Sequence, residues 1–187
     1  MDESPKQIIE DARPSKHIKP GQQERVDYEY IRKGVVNIFM ANEPLAGKRY
    51  TKVTDYKKKP DWVQFMKEVA SQNRKAKKIT VVMDNLNTHT RGAFYESLKP
   101  KEAKKLLDRF DFVFTPKHGS WLNMAEIELR VMTGQCLKSH LESKFKIEKE
   151  VKAWENNRNA LTIKIDWQFT TKDARIKLKR LYPSHYV

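Results

Sequence analysis

The sequence predicts an α/β domain, a mixed sheet with helices packed against its faces. Three observations predict it. Val35 to Ala41 and Arg49 to Asp55 read as two strands joined through Glu43-Pro44-Leu45-Ala46-Gly47. Trp62, Phe65, Met66 and Val69 then fall at i, i+3, i+4 and i+7, the apolar stripe of a helix. Ile79-Thr80-Val81-Val82-Met83 is a short apolar run bounded by polar residues, which reads as a buried strand.

The remaining elements fit around these. Through about Arg25 the chain is polar and holds Pro5, Pro14, Pro20 and Gly21, the pattern of a strand remnant followed by an extended loop. Strand-like residues resume from Asp27 to Ile31, and Lys33-Gly34 predicts a turn before Val35. Pro60 suits the first turn of the helix that carries Trp62. Short helices are expected from Gly92 to Leu98 and from Pro100 to Leu107, and a strand from Phe110 to Thr115 is stopped by Pro116. One helix starts near Asn123, one carries Ile147, Val151 and Trp154, and one carries Ala174, Leu178 and Leu181. Thr170-Thr171-Lys172-Asp173 opens the last as a capping box, and Pro183 follows its end. Strand pairs followed by alternating helices and strands suit a mixed sheet with helices on its faces.

At 187 residues the chain forms one domain with a substantial core. A core of about 1–142 and C-terminal helices over about 143–187 are expected within it. The formal charge of +14 makes a polyanion the expected partner, because clustered Lys and Arg hold phosphates. A solvated basic surface is the plainer alternative. No apolar run is long enough to span a membrane, and no basic amphipathic helix points to a membrane surface. Cys136 is the only cysteine, which excludes an internal disulfide, and its place in the helical pattern of Leu129 and Met132 favours a buried thiol. A reducing interior, the cytoplasm, is the expected setting.

Two acids carry the chemistry. Asp84 closes the run from Ile79, and a carboxylate at a strand exit lies where α/β sheets present ligands. Glu126 ends Ser120-Trp121-Leu122-Asn123-Met124-Ala125-Glu126, at the mouth of the next helix. Acids on different elements of a basic chain point to metal-assisted chemistry on a phosphate backbone. Two divalent ions about 4 Å apart activate the attacking oxygen and stabilise the leaving one, and carboxylates supply their ligands. Magnesium or manganese suits such an oxygen-rich set. Asp2 is the candidate third acid, although spacing alone does not single it out. Each acid also has a plainer use. Asp84 could end a strand in a turn, Glu126 could complete a capping box with Asn123, and Asp2 could lie in a frayed terminus.

Three blocks together carry a resemblance: Met1-Asp2-Glu3, Val82-Met83-Asp84-Asn85-Leu86-Asn87-Thr88-His89, and Thr115 to Glu126. They resemble the acidic blocks of insertion-sequence transposases, in the bacterial 630 family of the mariner-like superfamily. Arg25 to Tyr30, Glu43 to Gly47 and Asp166 to Thr171 add to the similarity, which spans essentially the whole chain. The resemblance implies a ribonuclease H-like core with an Asp-Asp-Glu triad of Asp2, Asp84 and Glu126. It implies two magnesium or manganese ions, with Asp2 and Asp84 sharing one and Glu126 helping to hold the other. The implied reaction is hydrolysis at transposon ends, after which the freed 3′-hydroxyl attacks target DNA, commonly at a TA step. DNA, as transposon ends and target, is the implied partner, with a homodimer or a separate N-terminal DNA-binding segment as further ones.

The chain departs from that pattern in two places. Met124-Ala125 stands where many relatives have Pro-Ile, a change that Asn123 tolerates as a cap. Met1 lies one residue before the first acid, so the first strand is expected to be truncated and the N-terminal helix-turn-helix of the family absent. The alternative function is an inactive remnant that binds DNA or regulates the full-length enzyme.

His89 is expected in a supporting role near Asp84, and His118 in a solvated loop. Trp121 and Leu122 are expected to anchor the loop before Glu126, and Trp62, Trp154 and Trp167 to pack. Lys57-Lys58-Lys59, Arg74 to Lys78, Lys99 to Lys101 and the basic residues from Lys172 to Arg180 are candidates for phosphate contacts.

Overall fold

A computed structural model describes residues 1–13, 29–116 and 119–179. The expectations for Asp27, Tyr28, His118, Arg180, Leu181 and Pro183 lie outside the described residues. The described elements are strands β1 (Asp2–Asp11), β2 (Tyr30–Glu43) and β3 (Lys48–Thr54), helix α1 (Lys59–Gln72), strand β4 (Ile79–Met83), helices α2 (Arg91–Ser97) and α3 (Pro100–Leu107), strand β5 (Phe110–Phe114), and helices α4 (Met124–Cys136), α5 (Lys144–Ala160) and α6 (Thr171–Lys177).

Strands β1, β2 and β3 form an antiparallel sheet in that order, and β4 pairs with β5 in parallel. The Met1 ammonium donates to the Val82 carbonyl at 2.7 Å and brings β4 alongside β1. The result is a mixed α/β architecture with helices against the sheet, the ribonuclease H-like arrangement expected of the sequence. Next to this junction, Ala41–Glu43 of β2 and Ile79–Val82 of β4 line a cavity of about 440 Å³ with Met1 in its wall.

Side chains alternate across a strand, so β2 sorts the core into two halves. Val36, Ile38 and Met40 pack with Leu129 and Met132 of α4 and Ile147, Val151 and Trp154 of α5. Phe39 points the other way, into a core with Trp62, Phe65 and Met66 of α1, Phe94 of α2 and Phe110 of β5. The period-3.6 stripe of α1 is buried as expected, with Trp62 and Met66 fully enclosed. Asp61 accepts from the Lys58 backbone N–H at 3.0 Å and caps the helix start.

Two expectations need correction. Lys33-Gly34 is not a turn: β2 runs straight through it, and the register jumps from Ile8↔Gly34 to Ile9↔Arg32. This is a bulge, and Gly34 accommodates it at φ +131°, where a side chain would be strained. The strand expected at the N-terminus runs from Asp2 to Asp11 and pairs with β2 along its length. Pro5 is tolerated there because β1 bonds only to β2 at that point, so its missing N–H interrupts nothing. Lastly, β4 is only half buried. Val81 and Met83 face the core while Val82 is 45% exposed, because α1 to α3 cover one face of the β4–β5 pair.

Candidate active site

The register of β1 decides which way its acids face. Asp2 lies opposite Met40 and Ser4 opposite Ile38, so both share the face covered by α4 and α5. Glu3 lies opposite Phe39 and faces the α1 side. Two consecutive acids are thereby sent to opposite sides of the sheet. The Asp2 carboxylate accepts from the Glu3 backbone N–H at 2.8 Å. Its pKa is nonetheless pushed up to about 6, first by burial and then by the negative charges of Glu3, Asp84 and Glu126.

Asp84 sits just past β4 and is tied back to its own loop. Its Oδ1 accepts from the Leu86 backbone N–H at 3.3 Å and lies 3.1 Å from His89 Nδ1. Both contacts fall on Oδ1, so Oδ2 is left unclaimed among the described residues. The His89 ring is enclosed, with Trp62 at 5.3 Å between ring centroids. Its Nε2 lies 3.2 Å from Oε2 of Glu3, whose side chain is 5% exposed; the distance suits an ion pair, but the alignment is not that of a hydrogen bond. His89 thus stands between Asp84 and Glu3 and supports the acid, as the sequence led us to expect. A second brace comes from Asn85, whose Nδ2 donates to the Thr115 carbonyl at 2.6 Å and holds the exits of β4 and β5 together.

Glu126 occupies the first turn of α4 and is exposed. The capping-box alternative does not hold for it. The Asn123 backbone N–H is taken by the Ser120 carbonyl at 2.7 Å, and Glu126 makes no side-chain hydrogen bond or ion pair among the described residues. Asn123 alone caps the helix, its Oδ1 accepting from the Ala125 N–H at 3.2 Å. Its Nδ2 donates to the Met1 carbonyl at 2.8 Å. Two residues beyond Glu126, and so about 200° around the helix, Glu128 is buried between Arg49 Nε at 2.8 Å and Arg158 Nη2 at 3.1 Å. Anchoring the back of α4 in this way turns Glu126 outward.

Met1 is therefore the junction of the site. Its nitrogen holds the strand before Asp84, its carbonyl holds the cap before Glu126, and its neighbour is Asp2. Its ammonium is lowered to about 6 by burial, opposed by the charges of Asp2, Asp84 and Glu3. No group of three or more His, Cys, Asp or Glu side chains among the described residues is gathered closely enough to hold a metal ion. The donor chemistry still fits a hard divalent cation. Asp84 keeps a free oxygen, Glu126 a whole unpaired carboxylate, and the charge of Asp2 is opposed by three others that a cation would offset.

Residues 1–149 match the model of the family described as DDE superfamily endonuclease. The chain belongs to that family. No curated protein and no solved structure matches it significantly. DDE endonuclease domains act on DNA and typically use divalent metals, which supports DNA as the partner of this one. No described helix is long and apolar enough to cross a membrane.

Other expected residues of this DDE domain divide unevenly. Trp121 sits in a 3₁₀ turn over Ser120–Leu122 and packs edge-on against Phe169 at 5.1 Å, with Lys177 Nζ 4.8 Å above its ring. Trp62 and Trp154 are buried, and Trp167 packs against Phe169 at 6.2 Å. Cys136 is half-buried, and its thiol is pushed up to about 11, chiefly by burial. Several basic candidates are engaged within the protein: Lys59 with Glu96 at 2.8 Å, Lys78 with Asp111 at 3.4 Å, and Lys58 over the Tyr56 ring. Sequence reasoning missed Glu3, the Asn123–Met1 link and Glu128. Only Glu3 left a signal, as a second acid beside Asp2 on a strand that alternates faces.

Proposed function

We propose that this chain is the catalytic domain of a DNA transposase of the bacterial 630 type, cutting transposon-end DNA and joining it to target DNA. Asp2, Asp84 and Glu126 are the catalytic acids and the ligands of two magnesium or manganese ions. When bound, the ions supply a Lewis-acidic clamp on the attacking and leaving oxygens of the phosphodiester. The protein's own part is positional. Asp84 is braced by His89 and Asn85, Glu126 is turned outward by the buried Glu128, and Asp2 is set by the β1 register. The observation that carries this reading is the Met1 junction, which ties the strand before Asp84 and the cap before Glu126 to the residue beside Asp2. Action beside DNA in a bacterial cytoplasm follows from the same reading.

The test is cleavage of labelled transposon-end DNA with Mg²⁺ or Mn²⁺, comparing the parent chain with Asp84→Ala and Glu126→Ala. Loss of metal-dependent cutting in both variants supports the assignment. Cutting that survives both refutes it. A parent chain that binds DNA but never cuts it returns the reading to an inactive, DNA-binding relative.

A further inference from the structure

We propose that the groove leading from Asp2 and Glu126 along α4 to Lys138 is the channel for one DNA strand, with Arg130 and Lys138 as its phosphate contacts. This rests on the reading above and adds the path of the substrate. Glu126, Arg130, Thr133, Gly134 and Lys138 lie on one side of α4 and its end, at offsets of 4, 7, 8 and 12 from the acid, and all are exposed. Together with Asp2 and Ser4 they line an open groove of about 750 Å³ between β1 and α4. Its acid end carries two of the three candidate ligands, and its far end carries positive charge.

The two cations are available. Neither Arg130 nor Lys138 forms an ion pair among the described residues, whereas Lys144, Lys146, Lys152 and Arg158 of the following helix all face carboxylates. Between them the floor is clear. A Cβ added at Gly134 would meet no atom within 4 Å, and the Thr133 hydroxyl is turned back onto the Leu129 carbonyl at 2.8 Å. Arg130 follows Glu126 by one helical turn, a rise of about 6 Å, and Lys138 lies two residues beyond the end of the same helix. A strand with one phosphate at the acids would therefore meet a guanidinium suited to bidentate phosphate bonding, then an ammonium. Contacts of this kind position the backbone and read no sequence.

Two measurements on the full chain test the channel. In metal-free anisotropy titrations with end duplex, Arg130→Gln and Lys138→Gln should each lower the slope of log affinity against log salt by about 0.9. In a Cys136→Ser background, Gly134→Cys should attack a mixed disulfide tethered to the DNA beside the scissile phosphate, releasing its small thiol and joining protein to DNA, in at least tenfold higher yield than Lys105→Cys on α3. Unchanged slopes together with no preferential cross-link overturn the channel, even if the parent chain cuts DNA. Lowered slopes and a Gly134 cross-link in a chain that never cuts would leave the channel standing and remove the endonuclease reading. A parent chain with no affinity for DNA removes both.

Discussion

Asn123 donates from its side chain to the Met1 carbonyl at 2.8 Å while its other side-chain atom caps α4. One amide thus starts the helix of Glu126 and fixes the strand of Asp2. The two jobs separate by substitution. Asn123→Ala removes the cap, costing about 1 kcal/mol, and leaves the Met1 carbonyl unpaired for about 1–3 kcal/mol more. Asn123→Asp keeps the cap and loses only the donor. Urea unfolding should rank the parent above Asp and Asp above Ala, while both variants lose most metal-dependent cleavage. An Asp variant that cleaves at the parent rate would show that the Met1 link does not serve the site.

Glu128 gives a stability test. It is buried between Arg49 and Arg158, with side-chain exposures of 3%, 0% and 12% respectively. Removing it leaves the Arg49 guanidinium enclosed without its carboxylate, a loss of about 3–5 kcal/mol for a broken buried pair. Glu128→Ala should lower the urea midpoint accordingly. A change below about 1 kcal/mol would mean that α4 is oriented by its apolar contacts alone.

The order of elements was legible because burial writes its period into the sequence. Trp62, Phe65, Met66 and Val69 announced α1, and the run from Ile79 announced β4. The bulge at Lys33 was not legible, since a Lys-Gly pair signals a turn or a bulge equally and only the register with Ile8 and Ile9 decides between them. The exposure of Val82 was hidden for a similar reason, because a short apolar run does not reveal how many faces are covered. At the site, motif blocks drew attention to Asp84 and Glu126. The side chains that orient them, His89 with Glu3 and Glu128 with Arg49, meet across 86 and 79 positions of chain, so no local pattern encodes them.

His89 and Glu3 should be energetically coupled. Enclosed between Asp84 and Glu3, the imidazole approaches Glu3 Oε2 to 3.2 Å, an oxygen with no hydrogen-bond partner among the described residues. His89→Ala withdraws the imidazole from a buried carboxylate oxygen that has no hydrogen bond to fall back on, and should destabilise the chain. Adding Glu3→Gln should return part of that cost, since a neutral amide suffers less from burial than a carboxylate. A double-mutant cycle by urea unfolding should give a coupling above about 0.5 kcal/mol. Strict additivity would show that the 3.2 Å approach carries no energy.

Gly47 and Gly34 both adopt positive φ, at +67° and +131°, yet they should respond differently to alanine. A Cβ at Gly34 meets nothing within 4 Å, so Gly34→Ala adds only backbone strain. At Gly47 the same Cβ would collide with the Thr162 carbonyl, in the segment that also bonds Arg49 through Ile163. Gly47→Ala should therefore lose clearly more stability than Gly34→Ala and should loosen residues 162–165 in hydrogen exchange. Equal losses would mean that this segment does not rest on the β2–β3 connection.

Cys136 supplies a pH prediction whose sign follows from burial. Its thiol lies at about 11 instead of near 9, and it donates to the Met132 carbonyl at 3.3 Å. Only the thiolate reacts with alkylating agents, so a raised pKa means less reactive species at any pH below it. Iodoacetamide labelling of the native chain at pH 8 should be roughly a hundredfold slower than for an unperturbed thiol, with two units of pKa each worth a factor of ten. The rate should climb about tenfold per pH unit toward pH 11, and unfolding in urea should abolish the difference. Labelling at pH 8 as fast in the native as in the unfolded chain would show that the end of α4 is open to solvent.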